Sequence, residues 1–313
     1  MGESTRARRR IAPYALGAVL AAAGAAGLVA ATALPGSTEE KGKKPAKAEK
    51  NALGAAGEEL ALGQLVYEKY CIGCHGEKGD GKGEAAKFLD PKPRNFADPP
   101  GLFKFASVPA GQLPTDDDLF KTITRGLRGS SMPSFRFVPE EQRRAVIQYV
   151  KTFATEAWQQ PRASQIDRSV NPYAQGNANP KPVEEAIEKG RLIYHAGPFK
   201  CWNCHASFMT EEELAAAGVR DLRANLDRPA LKRDEWGNVN RPPDFTWHVT
   251  RASWTIDEVY QTITAGVGGA GMPTMEKQFT DEERWALAYY VKSLMDQRGR
   301  KKGPPPPALP LEE

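Results

Sequence analysis

The sequence predicts a mainly helical chain built of two tandem units. Three observations carry that expectation. A Cys-x-x-Cys-His string occurs twice, as Cys71-Ile72-Gly73-Cys74-His75 and Cys201-Trp202-Asn203-Cys204-His205. Similar residues flank both strings at similar spacings, and each unit closes on an apolar stripe of helical period. At 313 residues the chain exceeds one average domain of about 100–200 residues. Its 25 prolines and 29 glycines assign much of it to loops, so large regular sheets are not expected. All 4 cysteines lie in the two strings, which leaves none for structural disulfides.

The chain opens on a targeting segment. Arg6, Arg8, Arg9 and Arg10 precede an uncharged run from Ile11 to Pro35, a basic start followed by an apolar stretch, and that pattern marks export. The run reaches the about 20 residues that a span needs, while Ala31-Thr32-Ala33 fits a small-residue cleavage pattern. Residues 1–36 are read as a retained signal anchor, with a cleaved signal peptide and a soluble periplasmic form as the alternative. The arginines set orientation, basic end inside, which places the rest on the outer face of a bacterial inner membrane. Residues 37–57, with EEKGKKPAKAEK from Glu39 to Lys50, have the composition of a solvated tether.

The repeat then defines two domains, 58–156 and 183–298. Gly63-x-x-x-Tyr67 matches Gly190-x-x-x-Tyr194 upstream of the cysteines. Downstream, Pro93-Arg94-Asn95-Phe96 pairs with Pro242-Pro243-Asp244-Phe245, and Phe120 to Gly126 pairs with Tyr260 to Gly266. Six residues past each glycine stands Met132-Pro133 or Met272-Pro273. Each unit ends on a helix pattern with acidic residues in its first turn, from Pro139 to Phe153 and from Thr280 to Leu294. Between the domains, 157–182 is polar and aperiodic and reads as a linker; 299–313, with Pro304 to Pro307, is a Pro-rich tail that cannot be helical. The repeats differ after the histidine. The first has a glycine-rich loop, Gly76 to Gly83, and the second has a longer charged stretch from Thr210 to Asn240 with a short helix at Glu211 to Ala217. The loop follows no strand and lacks a Gly-Lys-Ser/Thr ending, so a phosphate cradle is not supported.

Charge excludes a nucleic-acid footprint. The formal charge of +4 resides outside the domains: 58–156 carries 14 basic against 14 acidic residues, and 183–298 carries 14 against 18.

On a helical turn, residues i, i+3 and i+4 share one face, so Cys71, Cys74 and His75 project together, as do Cys201, Cys204 and His205. Two thiols and an imidazole so placed suit covalent attachment of one haem per string, with His75 and His205 reaching the iron. Zinc would need a fourth ligand from elsewhere in each domain, and a thiol redox pair does not explain the histidine directly after the second cysteine in both strings. The sixth ligands are expected to be Met132 and Met272, which lie in Gly/Ser loops rather than in periodic apolar segments where core methionines sit. On the second haem His195, His248, Met209 and Met275 are alternatives. A His/Met pair fills both axial positions, which favours electron transfer over catalysis at the iron.

Both units resemble class I cytochrome c domains, over residues 58–156 and 183–298. The resemblance implies an all-α fold of two tandem domains behind the N-terminal segment, and two covalently bound haem c groups held by Cys71, Cys74, His75, Met132, Cys201, Cys204, His205 and Met272. It also implies that the first helix crosses the last near Tyr149 or Tyr290, and that a proline carbonyl orients the ligand histidine, with Pro93 and Pro242 or Pro243 as the counterparts. The function it implies is electron transport in a respiratory chain, as an anchored shuttle or a cytochrome subunit. Its partners would then be a quinol-oxidising complex and a terminal oxidase or reductase. The two-haem subunit of a haem-copper oxidase has a similar layout. A two-haem cytochrome c peroxidase is the enzymatic alternative; it requires one open iron, whereas each domain here has its own Met-Pro loop. A gas sensor would likewise need a vacant position.

Overall fold

The computed structural model describes residues 47–97, 103–235 and 237–300, with Pro305 and Ala308. Two runs of helices repeat one arrangement. In the first, α1 (Lys47–Tyr70) leads into the one-turn α2 (Ile72–His75), then α3 (Asp116–Arg125), α4 (Glu140–Lys151) and the short α5 (Thr155–Trp158). In the second, α6 (Val183–Ala196) is followed by a 3-10 turn at Cys201–Asn203. After α7 (Glu211–Ala216), helices α8 (Ile256–Ala265) and α9 (Asp281–Met295) complete it. The main departure from the all-α expectation is a two-residue antiparallel hairpin, β1 (Lys232–Arg233) with β2 (Val239–Asn240), inside the Thr210–Asn240 insertion.

Local chemistry starts these helices. Thr115, Thr255 and Thr280 each accept from the backbone N–H three residues on, while the carboxylates of Asp118, Glu258 and Glu283 accept from the threonine N–H, so α3, α8 and α9 all open on capping boxes. α7 opens the same way on Thr210 and Glu213.

Helix α1 crosses α4, and α6 crosses α9, where glycine removes the side chain. A Cβ at Gly63 would lie 2.2 Å from the Ala145 carbonyl oxygen, and one at Gly190 would lie 2.1 Å from that of Ala286. Above each crossing the expected aromatics meet, Tyr67 with Tyr149 and Tyr194 with Tyr290, both at 5.4 Å between ring centroids. The first core is small, centred on Val66, Tyr67, Val138, Val146 and Val150. The second is larger, and Leu214, Val219 and Leu226 of the insertion join the α6, α8 and α9 residues in it.

Two expectations change. α1 begins at Lys47, inside the stretch read as a tether over 37–57, since alanine, lysine and glutamate from Lys47 onward are strong helix formers. The stretch read as a linker, 157–182, is packed: Ile166 and Tyr173 are buried, the Ile166 N–H donates to the Ser107 carbonyl at 2.8 Å, and Ser169 bonds both Tyr260 Oη (2.9 Å) and Trp285 Nε1 (3.1 Å). Isolated anchors of that kind leave no periodic signal. No described helix is long and apolar enough to cross a membrane; the anchor expected over 1–36 lies outside the described residues, as does most of the tail expected over 299–313.

The two repeats touch. Ala110 N–H donates to the Ala265 carbonyl at 2.7 Å, Lys104 pairs with Asp234 at 3.1 Å, and Lys121 (2.8 Å) and Arg125 both reach Glu258.

Candidate functional site

Each Cys-x-x-Cys-His string winds into one tight turn. The N–H groups of Cys74 and His75 donate to the Cys71 carbonyl at 3.1 and 2.9 Å, and those of Cys204 and His205 to the Cys201 carbonyl at 3.2 and 3.0 Å. The two thiols and the imidazole therefore share a face in both repeats, as the spacing predicts.

The imidazoles are held alike. His75 Nδ1 lies 3.0 Å from the Arg94 carbonyl oxygen and His205 Nδ1 lies 3.0 Å from that of Pro243. A carbonyl only accepts, so Nδ1 carries the hydrogen and Nε2 keeps its lone pair, the form that ligates a metal. Burial pushes both histidines below the ordinary imidazole range, partly offset by those backbone bonds, so both are neutral. Phe96 stacks on His75 at 4.5 Å and Phe245 on His205 at 4.8 Å. In the second repeat the expected proline supplies the carbonyl. In the first it is not Pro93 but the following residue, Arg94, because Arg94 is the position that matches Pro243 and only a backbone oxygen is required.

The carbonyls of the two turns are covered by different means. In the first repeat the glycine-rich loop does it with backbone: Ala85 N–H donates to Gly73 O (2.9 Å), Gly83 N–H to Cys74 O (3.2 Å) and Gly81 N–H to His75 O (2.8 Å). A Cβ at Gly83 would lie 2.4 Å from Gly73 O, so this close approach needs glycine there. In the second repeat the guanidinium of Arg223, from the insertion, donates to the carbonyls of Trp202 (2.9 Å), His205 (2.9 Å), Asn225 (3.0 Å) and Arg228 (2.6 Å), and Ala230 N–H covers Cys204 O (2.9 Å). Tyr67 Oη donates to Gly76 O at 2.7 Å and Tyr194 Oη to Ala206 O at 2.9 Å, so the repeated tyrosine fixes the residue after each histidine. Sequence reasoning found the Gly-x-x-x-Tyr and Phe96/Phe245 pairings without these roles, and it missed Arg223, which has no counterpart in the first repeat.

The methionine loops also close identically. After Gly126 and Gly266, both at positive φ, Leu127 N–H donates to Met132 O (3.0 Å) and Val267 N–H to Met272 O (2.9 Å). Met132 lines an apolar cleft with Cys71, Tyr70, Ile123 and Phe135, and Met272 and Cys201 each pack against the second core. The alternatives on the second repeat are otherwise engaged. His195 is fully buried, its Nδ1 donating to Arg191 O (2.8 Å) and its Nε2 accepting from Phe208 N–H (3.1 Å); burial pushes its pKa down to about 4. Met209 and Met275 are core residues. His248 Nδ1 accepts from Asp244 N–H at 3.1 Å, a local bond four residues back.

These residues fit a covalently attached haem. Burial pushes Cys71 and Cys201 up to about 12, the opposite of the activated thiolate of a redox Cys-x-x-Cys pair. Among the described residues no group of three or more His, Cys, Asp and Glu side chains converges as a zinc site would require.

The family profile described as cytochrome C oxidase, cbb3-type, subunit III matches residues 58–150 and 185–291. No curated protein matches. Among solved structures, a chain of the reducing HAO-like protein complex of Kuenenia stuttgartiensis is similar, with a TM-score of 0.61 and 33% identity over 74% of this chain and 95% of that one.

Proposed function

We propose, for a chain that belongs to the family of the cbb3-type cytochrome c oxidase subunit III and is a two-domain cytochrome c, that it carries electrons through two haems as a component of a respiratory chain. Bound haem c supplies a one-electron couple at each site. The rest falls to the chain's own residues. Cys71, Cys74, Cys201 and Cys204 would hold the groups through thioethers, and His75 and His205 would offer Nε2 to the iron because Arg94 O and Pro243 O occupy Nδ1. Met132 and Met272 would supply the second protein ligand of each group. The observation that carries this reading is the doubled methionine loop, tied in both repeats by the same bond from residue 127 or 267 back to the methionine carbonyl.

The domain limits 58–156 and 183–298, an outer-face location and electron exchange with a quinol-oxidising complex and a terminal oxidase or reductase belong to the same proposal. The location is supported by the arginines and apolar run of the leader, the partner class by the family and by the similar chain's place in a protein complex. Carbon monoxide is the test. The parent should bind almost none, whereas Met132→Ala and Met272→Ala should each open one iron and lower that potential. Carbon monoxide binding by the parent together with peroxide turnover would replace the carrier with a two-haem peroxidase. A second haem that responds to His248→Ala and not to Met272→Ala would move the sixth ligand.

A further inference from the structure

The loop that carries Met132 is not held by its own domain alone. It starts where α3 ends: Arg125 is the last helical residue, Gly126 turns at φ 66°, and Leu127 N–H closes on Met132 O at 3.0 Å. Ser130 Oγ donates to Leu127 O (2.8 Å) and accepts from Met132 N–H (3.2 Å), so residues 127–132 are tied into one loop. Its outer side is gripped by the second domain just before α8. Arg128 N–H donates to the Arg251 carbonyl at 3.2 Å, and the guanidinium groups of Arg125 and Arg128 lie against the Trp254 ring, 3.6 and 3.8 Å from its centroid.

Trp254 is itself fixed from below. Its backbone N–H donates to Glu258 Oε2 at 2.7 Å, and Glu258 also pairs with Arg125 and with Lys121. Those donors hold the Glu258 carboxyl down to about 2, against the opposing effect of its burial, so it stays charged at neutral pH. The first-domain position that matches Glu258 is Asp118, which caps its own helix and accepts from Ser107 N–H and Oγ, all within its own repeat. The Trp254–Glu258 grip on the methionine loop of the first domain therefore has no counterpart at Asp118; toward the second domain's loop the first domain offers the Ala110 N–H bond to the Ala265 carbonyl at 2.7 Å.

We infer that Trp254 is a positioning residue for the axial Met132 of the other domain, so that docking of the second domain sets the iron–sulfur contact of the first haem. The inference rests on the reading of Met132 as sixth ligand. A thioether is a weak ligand delivered by a loop, and small displacements of it change both its bond to iron and the stability of the reduced state.

The test uses the full haem-loaded chain and three readouts: amide hydrogen exchange at residues 127–132, the sulfur-to-iron absorption band, and a redox titration resolved into two components. Met132→Ala and Met272→Ala assign the components. Trp254→Leu should speed exchange at 127–132 and weaken the part of the band that Met132→Ala removes. It should also shift the matching component by a factor of about ten in its oxidised-to-reduced ratio, 59 mV for one electron, with the Met272 component unmoved. Trp254→Phe, which keeps an aromatic face, should restore most of this. Arg128→Gln, at an exposed position, should act in the same direction with less effect and avoids any question of folding. Unchanged exchange at 127–132 in Trp254→Leu, or equal shifts of both components, overturns the inference while leaving Met132 as ligand. If Met132→Ala leaves the band intact, the ligand reading falls and the inference with it.

Discussion

Arg223 concentrates in one side chain of the insertion most of the carbonyl cover that a backbone loop supplies in the first repeat. Arg223→Met keeps the aliphatic stem and deletes the guanidinium. The carbonyls of Trp202, His205 and Arg228, at 2.9, 2.9 and 2.6 Å, sit in partly buried surroundings and would each lose a charged donor. Bonds to charged groups contribute about 1.5–3 kcal/mol, and a buried acceptor left alone costs about 1–3 kcal/mol. Allowing for relaxation and non-additivity, the three together predict a loss of roughly 3–5 kcal/mol confined to the second domain. Native-state hydrogen exchange reads this directly: amides of α6 and of residues 201–205 should exchange on the order of a hundredfold faster or more, with α1 and α4 unchanged. Arg223→Lys, a point charge that cannot reach several carbonyls at once, should fall between. Exchange that is unaltered, or accelerated equally in both domains, would refute the reasoning.

The helix crossings predict opposite signs for one chemical change: Gly57→Ala, where an added Cβ meets nothing within 4 Å, should stabilise α1 by about 0.5–1 kcal/mol, whereas Gly63→Ala, at 2.2 Å from Ala145 O, should cost about 1–3 kcal/mol, both read from urea midpoints. Equal effects would mean that α1 and α4 do not cross at Gly63. Buried His195, neutral in the fold with its pKa near 4, predicts a defined acid sensitivity. The unfolded chain takes up the proton below its ordinary value of about 6.5 while the folded chain does not, so stability is unaffected above that point, falls as pH drops from about 6.5 to about 4, and then levels after a loss of roughly 3 kcal/mol. His195→Asn should flatten that window in urea titrations at pH 7 and 4.5; an unchanged slope would assign the loss to other groups.

Much of this was legible in the sequence because repetition doubles every signal. The glycine before each tyrosine, the methionine after each Gly126 or Gly266 turn and the acid-rich starts at Pro139 and Thr280 were found by matching one repeat to the other; they stand at the crossings, in the loops and at the first turns of α4 and α9, of which α9 alone of these two opens on a capping box. What had no counterpart was illegible. Arg223 looks like one more charge in a charged insertion, and Trp254 like an isolated aromatic, since their partners lie across the fold rather than along a helix face. The strap over 157–182 escaped for a related reason: Ile166 and Tyr173 are single anchors in a polar run, and hydrophobic periodicity detects stripes, not pegs. Arg94 in the place of a proline is a case of chemistry carried by backbone, where residue identity says little.

The central claim, one covalent haem on each Cys-x-x-Cys-His turn, is tested most directly by the intact mass of protein matured with haem-attachment machinery. The account predicts a mass above that of the polypeptide by two haems, falling to one when Cys71 and Cys74 or Cys201 and Cys204 are replaced by serine. A gain of a single haem in the parent, or zinc bound in place of iron, would contradict it.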